Sequence, residues 1–338
     1  LLNLLNLLNL LNLLNLLNFL NLLNFCARLC RLLGPMKRIF LLLIPTLLLA
    51  SCGGNDLPSP APSPGKQANA NANTVSTLYS SRLEIPRLTG GTSLFLVKTV
   101  PQYGVNYCAE FDCTKRATRW IAFRWDIDNT VDNNVGRTED WAEDEQIPKE
   151  YRVTLEQHRS NGYDRGHMLA SEDRQNSREA NRQTFLMTNM HPQYHDFNGT
   201  NRGKEFVWYN LENRVRRFYN SWTRKANAGD TIYAVKGGTI DLPSQVLEVT
   251  PKGLIVPRYF FMAFLYKNQQ ASQGGYKALA FWVEHTNGTD TTSGNALSKY
   301  IVSIDELERL TGIDFFCNLP DDIEDAVEAN AVPAAWGF

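Results

Sequence analysis

Tyr163-Asp164-Arg165-Gly166-His167-Met168 is the stretch on which the reading of this chain turns. It sets an acid, a guanidinium and an imidazole within four residues, with a glycine that lets the backbone turn. Phosphodiester hydrolysis asks for such a set. It needs a base near neutrality to deprotonate water and a cation to meet the charge that gathers on phosphorus. An acid beside them can fix the geometry. A surface turn with ordinary ion pairs would use the same four residues, so the tetrapeptide alone leaves both readings open.

Two further stretches lie downstream. Thr188-Asn189-Met190-His191-Pro192-Gln193 is followed by Phe197-Asn198. Asparagine is an uncharged oxygen ligand, suited to a hard cation that keeps most of its water. Asn near Gly also commonly closes an Asx turn or caps a helix. Trp208-Tyr209-Asn210-Leu211-Glu212 then opens an amphipathic run in which Glu212 could order the waters of such a cation. His191 and His195 are four apart, but Pro192 falls between them and no acid or third histidine completes a zinc set.

Around these stretches the pattern is mixed. Residues 119–125 are aromatic and β-branched and predict a strand. Residues 184–190 predict a buried strand stopped by Pro192, and 230–236, 259–266 and 278–284 predict three more. Gly203 to Tyr219 predicts a helix, with Phe206, Leu211 and Val215 near helical spacing. Residues 303–312 predict another, capped by Ser303, with Glu306 at the capping-box position and Gly312 at its end. Strands, a long helix, strands and a helix in that order imply an α+β fold on an antiparallel sheet.

Taken together, the stretches resemble the DNA/RNA non-specific endonucleases, the Serratia-nuclease-like branch of the ββα-metal enzymes. The resemblance rests on Trp120-Ile121-Ala122-Phe123, the Asp-Arg-Gly-His core, the Asn-Met-x-Pro-Gln block and the Trp-x-x-Leu-Glu run. Residues 305–312, with Leu319-Pro320-Asp321-Asp322 after them, complete it. It implies an antiparallel core carrying a ββα-metal motif, flanking helices, and cleavage of DNA and RNA with little sequence demand. It also implies His167 as general base and Asn198 as the sole protein ligand of one Mg²⁺, for which Mn²⁺ can substitute. Glu212 matches the acid that orders the metal's waters, and Arg137 an upstream arginine that stabilises phosphate charge. Asp164 and Arg165 match the motif's supporting pair. In the family the metal asparagine starts the helix. One departure stands out. The family places its Trp four residues after that asparagine and its Glu eight, whereas Trp208 and Glu212 follow Asn198 by ten and fourteen. About six residues are inserted, and Asn201-Arg202-Gly203 offers Asn201 as a competing ligand.

The N-terminal quarter reads differently. Residues 1–35 are low-complexity, mostly Leu-Leu-Asn triplets whose period of three fits neither helix nor strand, and read as untranslated or disordered. Met36, Lys37 and Arg38 precede an apolar run, Ile39 to Leu49, shorter than the about 20 residues of a membrane span. It ends in Leu49-Ala50-Ser51-Cys52, which resembles the lipobox of bacterial lipoproteins. Residues 36–51 then read as a signal peptide, with Cys52 lipidated. The Gly/Asn/Pro/Ser/Ala composition of 52–76 reads as a tether, and 77–338 as one catalytic domain. The expected location is the bacterial cell envelope: exported, held to the outer membrane by the Cys52 lipid on its periplasmic or surface side. Residues 1–51 hold four bases and no acid, which leaves 30 bases against 35 acids in the remainder. Bulk charge therefore gives no nucleic-acid footprint, and attraction to phosphate must be local. Cys108 and Cys113 could form a short disulfide in an oxidising compartment, leaving Cys317 unpaired. No protein partner is implied. Two other readings fit the same residues: a non-catalytic nucleic-acid-binding surface lipoprotein, and a phosphodiesterase acting on small esters.

Overall fold

Seven antiparallel strands form the central sheet of the computed structural model, which describes residues 69–338 except 75–76, 131–132, 134, 221–229, 269–274 and 293–296. Residues 1–68, with the stretches read as low-complexity, as signal peptide and as most of a tether, lie outside the described residues. Asn69 to Asn73, within the stretch read as tether, are hydrogen-bonded to the body. The Asn69 amide donates to Leu319 O at 2.6 Å, and that of Asn73 to Ser80 O and Pro86 O.

The strands are β1 (Ser93–Val100), β2 (Gly104–Asp112), β3 (Ala117–Trp125), β4 (Asp164–His167), β5 (Met190–Gln193), β6 (Thr200–Asn201), β7 (Lys204–Glu205), β8 (Thr231–Gly238), β9 (Val246–Val249), β10 (Ile255–Pro257), β11 (Tyr259–Lys267), β12 (Tyr276–Glu284) and β13 (Ile301–Val302). The helices are α1 (Arg178–Gln183), α2 (His195–Asn198), α3 (Val207–Phe218), α4 (Ile304–Thr311) and α5 (Asp321–Glu328). The sheet order is β1-β2-β3-β8-β11-β12-β13, and every pairing is antiparallel. The α+β class with an antiparallel core is as expected. Strands were expected over 119–125, 230–236, 259–266 and 278–284, and β3, β8, β11 and β12 lie there.

Both faces of the sheet are covered, so its central strands read as nearly continuous apolar runs. Side chains alternate along each strand. One face carries Ile121, Phe123, Ile232, Ala234, Met262 and Phe264, and on it sit Val207, Trp208, Leu211 and Val215 of α3. The other carries Trp120, Ala122, Val235, Phe261 and Ala263, covered by Ile304 and Leu307 of α4 and by Phe315 and Leu319. The α4 cap is as expected: Ser303 accepts from Glu306 N at 3.1 Å, and Gly312 closes the helix at φ 71°.

Four expectations change. Residues 184–189 are not strand: Thr184 ends α1, Met187–Asn189 form a 3₁₀ turn, and β5 begins only at Met190. Asn189 holds that turn by accepting from Leu169 N and donating to Leu169 O and Thr184 O. Pro192 does not stop the strand either. It sits inside β5 opposite Arg165, in a two-stranded ribbon where a missing N–H is tolerated. The long helix starts at Val207 rather than Gly203, because Lys204-Glu205 pair with Thr200-Asn201 in a hairpin. Its two-residue turn has Arg202 at φ 52° and Gly203 at φ 79°, the conformation that glycine favours. Cys108 and Cys113 are buried free thiols. They belong to opposite faces of the sheet, Cys108 in one core and Cys113 in the other, so no short bridge joins them.

Candidate active site

The β4–β5 ribbon carries His167 to the sheet face beneath α3. β4 pairs with β5 in the register Asp164↔Gln193, Gly166↔His191 and His167↔Met190. His191 ties the ribbon to the sheet by its Nε2–H, which donates to Thr118 O at 2.9 Å. After His167 the chain is clamped by Asn189, and the His167 carbonyl accepts from Trp208 Nε1 at 3.2 Å. The first residue of the β4–β5 site is thereby joined directly to the helix that bears Glu212.

Gly166 is not at a turn, contrary to the sequence reading. It lies inside β4, and a Cβ there would stand 2.0 Å from Oε1 and 2.5 Å from Cγ of Gln193. Gln193 is the diagonal neighbour of Gly166 on the ribbon, on the same face. Its side chain is fully buried, and neither Oε1 nor Nε2 has a hydrogen-bond partner. The glycine is therefore required by a close side-chain approach rather than by backbone curvature.

His167 is half-buried against Trp141 (ring centroids 5.5 Å) and Phe185 (5.2 Å), which also meet each other edge-on at 4.8 Å. Its Nε2 lies in the buried part and has no hydrogen-bond partner. Burial, with the charges of Arg137 and Arg165, pushes its pKa down to about 3 against a pull upward from the Arg165 backbone. The imidazole is thus neutral near pH 7, with an uncommitted nitrogen.

The two arginines stand on either side of the aromatic pair. Arg137 lies over the Phe185 ring at 4.8 Å and donates to Ser171 Oγ at 3.1 Å. It also pairs with Glu139, which accepts from Trp141 Nε1 at 2.8 Å. Arg165 stacks on Trp141 at 3.8 Å. Its guanidinium borders an open cleft of about 480 Å³ lined by Trp141, Leu155, His158, Arg159 and Ser160.

Asp164 faces away from Arg165. Its Oδ2 pairs with His195 Nδ1 at 2.9 Å and accepts from Asn198 Nδ2 at 3.5 Å. Asn198 ends the one-turn α2 and does not start the long helix. Among the described residues its Oδ1 takes no hydrogen bond, and the preceding Phe197 stacks on Trp208 (centroids 6.0 Å). Asn201 sits across the hairpin, its amide donating to Asp196 Oδ1 at 3.1 Å. The inserted residues 199–205 therefore form β6 and β7, a projection that leaves both Asn198 and the Trp208-to-Glu212 turn of α3 beside the ribbon.

Glu212 is buried on the sheet face of α3, where its Oε1 accepts from Lys236 Nζ at 2.9 Å. Lys236 is fully buried among the rings of Phe123, Trp125 and Trp208. Burial pushes the Glu212 carboxyl up, against the downward pull of Lys236 and Arg216. Arg216, one turn further along α3, pairs with Asp173 at 2.7 Å and Glu172 at 2.9 Å.

Around Trp208 the fold thus gathers His167, Asp164, Asn198 and Glu212, with Arg137 and Arg165 on the outer side of His167. Sequence reasoning gave no role to Lys236 or Trp141, and quoted Asn189 and Gln193 only as part of a motif. A lysine inside the apolar run Ile232-Tyr233-Ala234-Val235-Lys236 was the one signal available, because a lysine on a core strand needs a buried partner.

Comparison with known proteins shows the family. The model of a family described as DNA/RNA non-specific endonuclease matches residues 95–322. A nuclease of Nostoc sp. strain PCC 7120 is 29% identical over 226 residues, which are 66% of this chain and 75% of that protein. The mitochondrial Nuclease 1 of Schizosaccharomyces pombe is 26% identical, over 54% of this chain and 55% of its own. Human mitochondrial endonuclease G is 23% identical, over 63% of this chain and 68% of its own. Among solved structures, the EndoG/EndoGI complex, which concerns EndoG inhibition, superposes with a TM-score of 0.51 at 22% identity. It covers 68% of this chain and 89% of that one, and shares the fold.

Proposed function

This chain belongs to the DNA/RNA non-specific endonuclease family and is a nuclease that hydrolyses phosphodiester bonds, and we propose that His167 is its general base and Asn198 its Mg²⁺ ligand. The observation that carries this reading is the His167 ring itself: neutral, packed against two aromatic rings, and acted on by the charges of Arg137 and Arg165.

The donor set fits a hard, largely hydrated cation. Asn198 spends its amide nitrogen on Asp164 and keeps its carbonyl oxygen free. Among the described residues, the one cluster of three His, Cys, Asp or Glu ligand atoms lies elsewhere, so no zinc-type cage stands beside His167. When bound, Mg²⁺ would supply positive charge to the phosphate oxygens, and Mn²⁺ could take its place.

The protein's own part follows from the geometry. His167 takes a proton from the attacking water, and its depressed pKa keeps the ring unprotonated at neutral pH. Arg137 and Arg165 meet the negative charge that grows on phosphorus. Asp164 orients Asn198 and His195. Glu212, held by Lys236, orders water on the α3 side. All these groups address phosphate or water and none reads a base edge, which supports the expectation that both DNA and RNA are substrates with little sequence demand. The Leu49-Ala50-Ser51-Cys52 motif supports export and a lipid anchor on Cys52, which would keep such an activity away from the cell's own genome.

The test is to incubate the purified protein with supercoiled plasmid and with RNA, in Mg²⁺ or in EDTA. Mg²⁺-dependent nicking that disappears in His167→Ala is expected. Asn198→Ala should raise the Mg²⁺ needed for activity, and Asn201→Ala should not. Nicking that survives EDTA, or that His167→Ala leaves unchanged, would overturn the proposal.

A further inference from the structure

On the sheet face opposite α3, three carboxylates converge where α4 meets α5. Asp305 and Glu308 are three apart on α4, hence on one side of it, and Glu328 is the last residue of α5. One oxygen from each lies within 4.8 Å of the other two. Glu328 is 96% buried by its 4% exposure, and its Oε1 has no hydrogen-bond partner. A buried carboxylate without a donor is costly unless something cationic or a proton reaches it.

Among the described residues no basic side chain is recorded against it. The charged neighbours that act most strongly on Glu328 are Glu308, Glu324, Asp305 and Asp314, all acidic. Glu308 is likewise surrounded by Asp314, Glu324 and Asp305, relieved only by Phe315 N, which donates to its Oε1 at 2.7 Å. The nearby Arg309 is engaged with Glu306. Glu328 also ends α5, so the last carbonyls of that helix add negative potential and further oxygen donors.

We propose that Asp305, Glu308 and Glu328 form a structural calcium site that pins α5 to α4, separate from the catalytic centre. Only oxygen donors are offered, and three carboxylates on two helices match the anionic, multi-oxygen coordination that calcium takes. With Ca–O bonds of about 2.4 Å, ligands of one ion stand at most about 4.8 Å apart, a limit within which the trio falls. Calcium's flexible coordination also asks less of three side chains from two helices than the strict octahedron of Mg²⁺ does. Water completes the shell on the Asp305 side, which is exposed. Burial and mutual repulsion raise the carboxyl groups of Glu308 to about 7 and of Glu328 to about 10, as expected of a site waiting for a cation.

Thermal unfolding and equilibrium dialysis of the full chain test this. Calcium at roughly 5 mM should raise the Tm by about 3–6 °C over EDTA, given the millimolar-range affinity of exposed modules. Asn198→Ala should keep that shift and bind one calcium per chain. Glu328→Gln, which is isosteric, and Asp305→Asn, which is on the surface, should each abolish the shift and the binding. Retention of the full shift in both variants would overturn the proposal. So would a chain that binds no calcium and is merely more stable in acid, which would mean that Glu308 and Glu328 share a proton. Because the readouts are stability and binding, failure here is separable from failure of the nuclease reading.

Discussion

Replacing Gly166 with alanine adds one methyl group where the Gln193 side chain lies against the backbone of β4. The new Cβ would meet Gln193 Oε1 at 2.0 Å, Cδ at 2.2 Å and Cγ at 2.5 Å. Moving only the tip of the glutamine cannot relieve this, because Cγ is already too close. Gln193 is fully buried, so its side chain has no open space to rotate into. The strain must pass to the four-residue ribbon, where β4 withdraws from β5. Overpacking of this kind costs about 2 kcal/mol, or about 4–8 °C in Tm for a domain of this size. His167 follows Gly166 directly, and a shift of about 1 Å in a reacting group can cost on the order of 100-fold in rate. Gly166→Ala should therefore lose both stability and plasmid nicking, measured by thermal unfolding and by kcat/KM. Adding Gln193→Ala removes Cγ, Cδ and Oε1 together, and the double variant should regain stability relative to Gly166→Ala alone. A Gly166→Ala protein with unchanged Tm and rate would refute the steric account, and so would a double variant whose losses simply add.

Two other outcomes follow from buried charge. Lys236→Met leaves Glu212 without its ion-pair partner in the core, and should cost about 3 kcal/mol, at the low end for a broken buried pair because Arg216 still attracts the carboxylate. Urea unfolding reads this, and adding Glu212→Gln should restore most of the loss; equal loss in both proteins would refute the pairing. The second concerns pH. His158, His167, His191 and His285 have pKa values depressed to about 3, 3, 4 and 4, so below pH 6.5 the unfolded chain binds protons the folded one does not, and stability falls on acidification. Glu308, Glu324 and Glu328, raised to about 7, 7 and 10, act in the opposite sense above pH 4.5. Unfolding free energy measured against pH should slope gently, by about one proton near pH 5.5 and by about two near pH 4, where the folded histidines begin to titrate as well. A slope of about three protons already at pH 6 would show that Glu308, Glu324 and Glu328 do not titrate as described.

The sheet was legible because its strands obey local rules. Residues 119–125 and 259–266 are apolar enough to be buried on both faces, and the capped run 303–312 carries both its start and its stop in the sequence. The 184–190 stretch misled because its apolar content reflects burial and not extension. Its conformation is set by Asn189, whose bonds to Leu169 and Thr184 depend on chain twenty residues away. Pro192 misled for a related reason: a proline forbids a ladder bond only where a partner strand needs one. The helix start at Val207 was hidden by an insertion, since Gly203 serves a hairpin turn that helical periodicity does not record.

Of the site, the sequence suggested candidate residues but not their relations. Asp164 and Arg165 are adjacent in sequence and looked like a pair. Successive residues of a strand point to opposite faces, so Asp164 turns to His195 and Asn198 while Arg165 turns to Trp141. The same alternation explains Lys236, which shares the α3 face with Ile232 and Ala234 and so meets Glu212. The six-residue insertion looked like a threat to the register of Glu212. A two-residue hairpin leaves and returns at nearly the same place, so Gly199 and Phe206 are joined by a backbone hydrogen bond at 3.1 Å. The insertion thus lengthens the chain between Asn198 and Trp208 without moving their neighbours apart, and Phe197 can still stack on Trp208. This closure of the loop at its base favours Asn198 over Asn201 as the ligand, because Asn198 stays at the ribbon while Asn201 is carried out on β6.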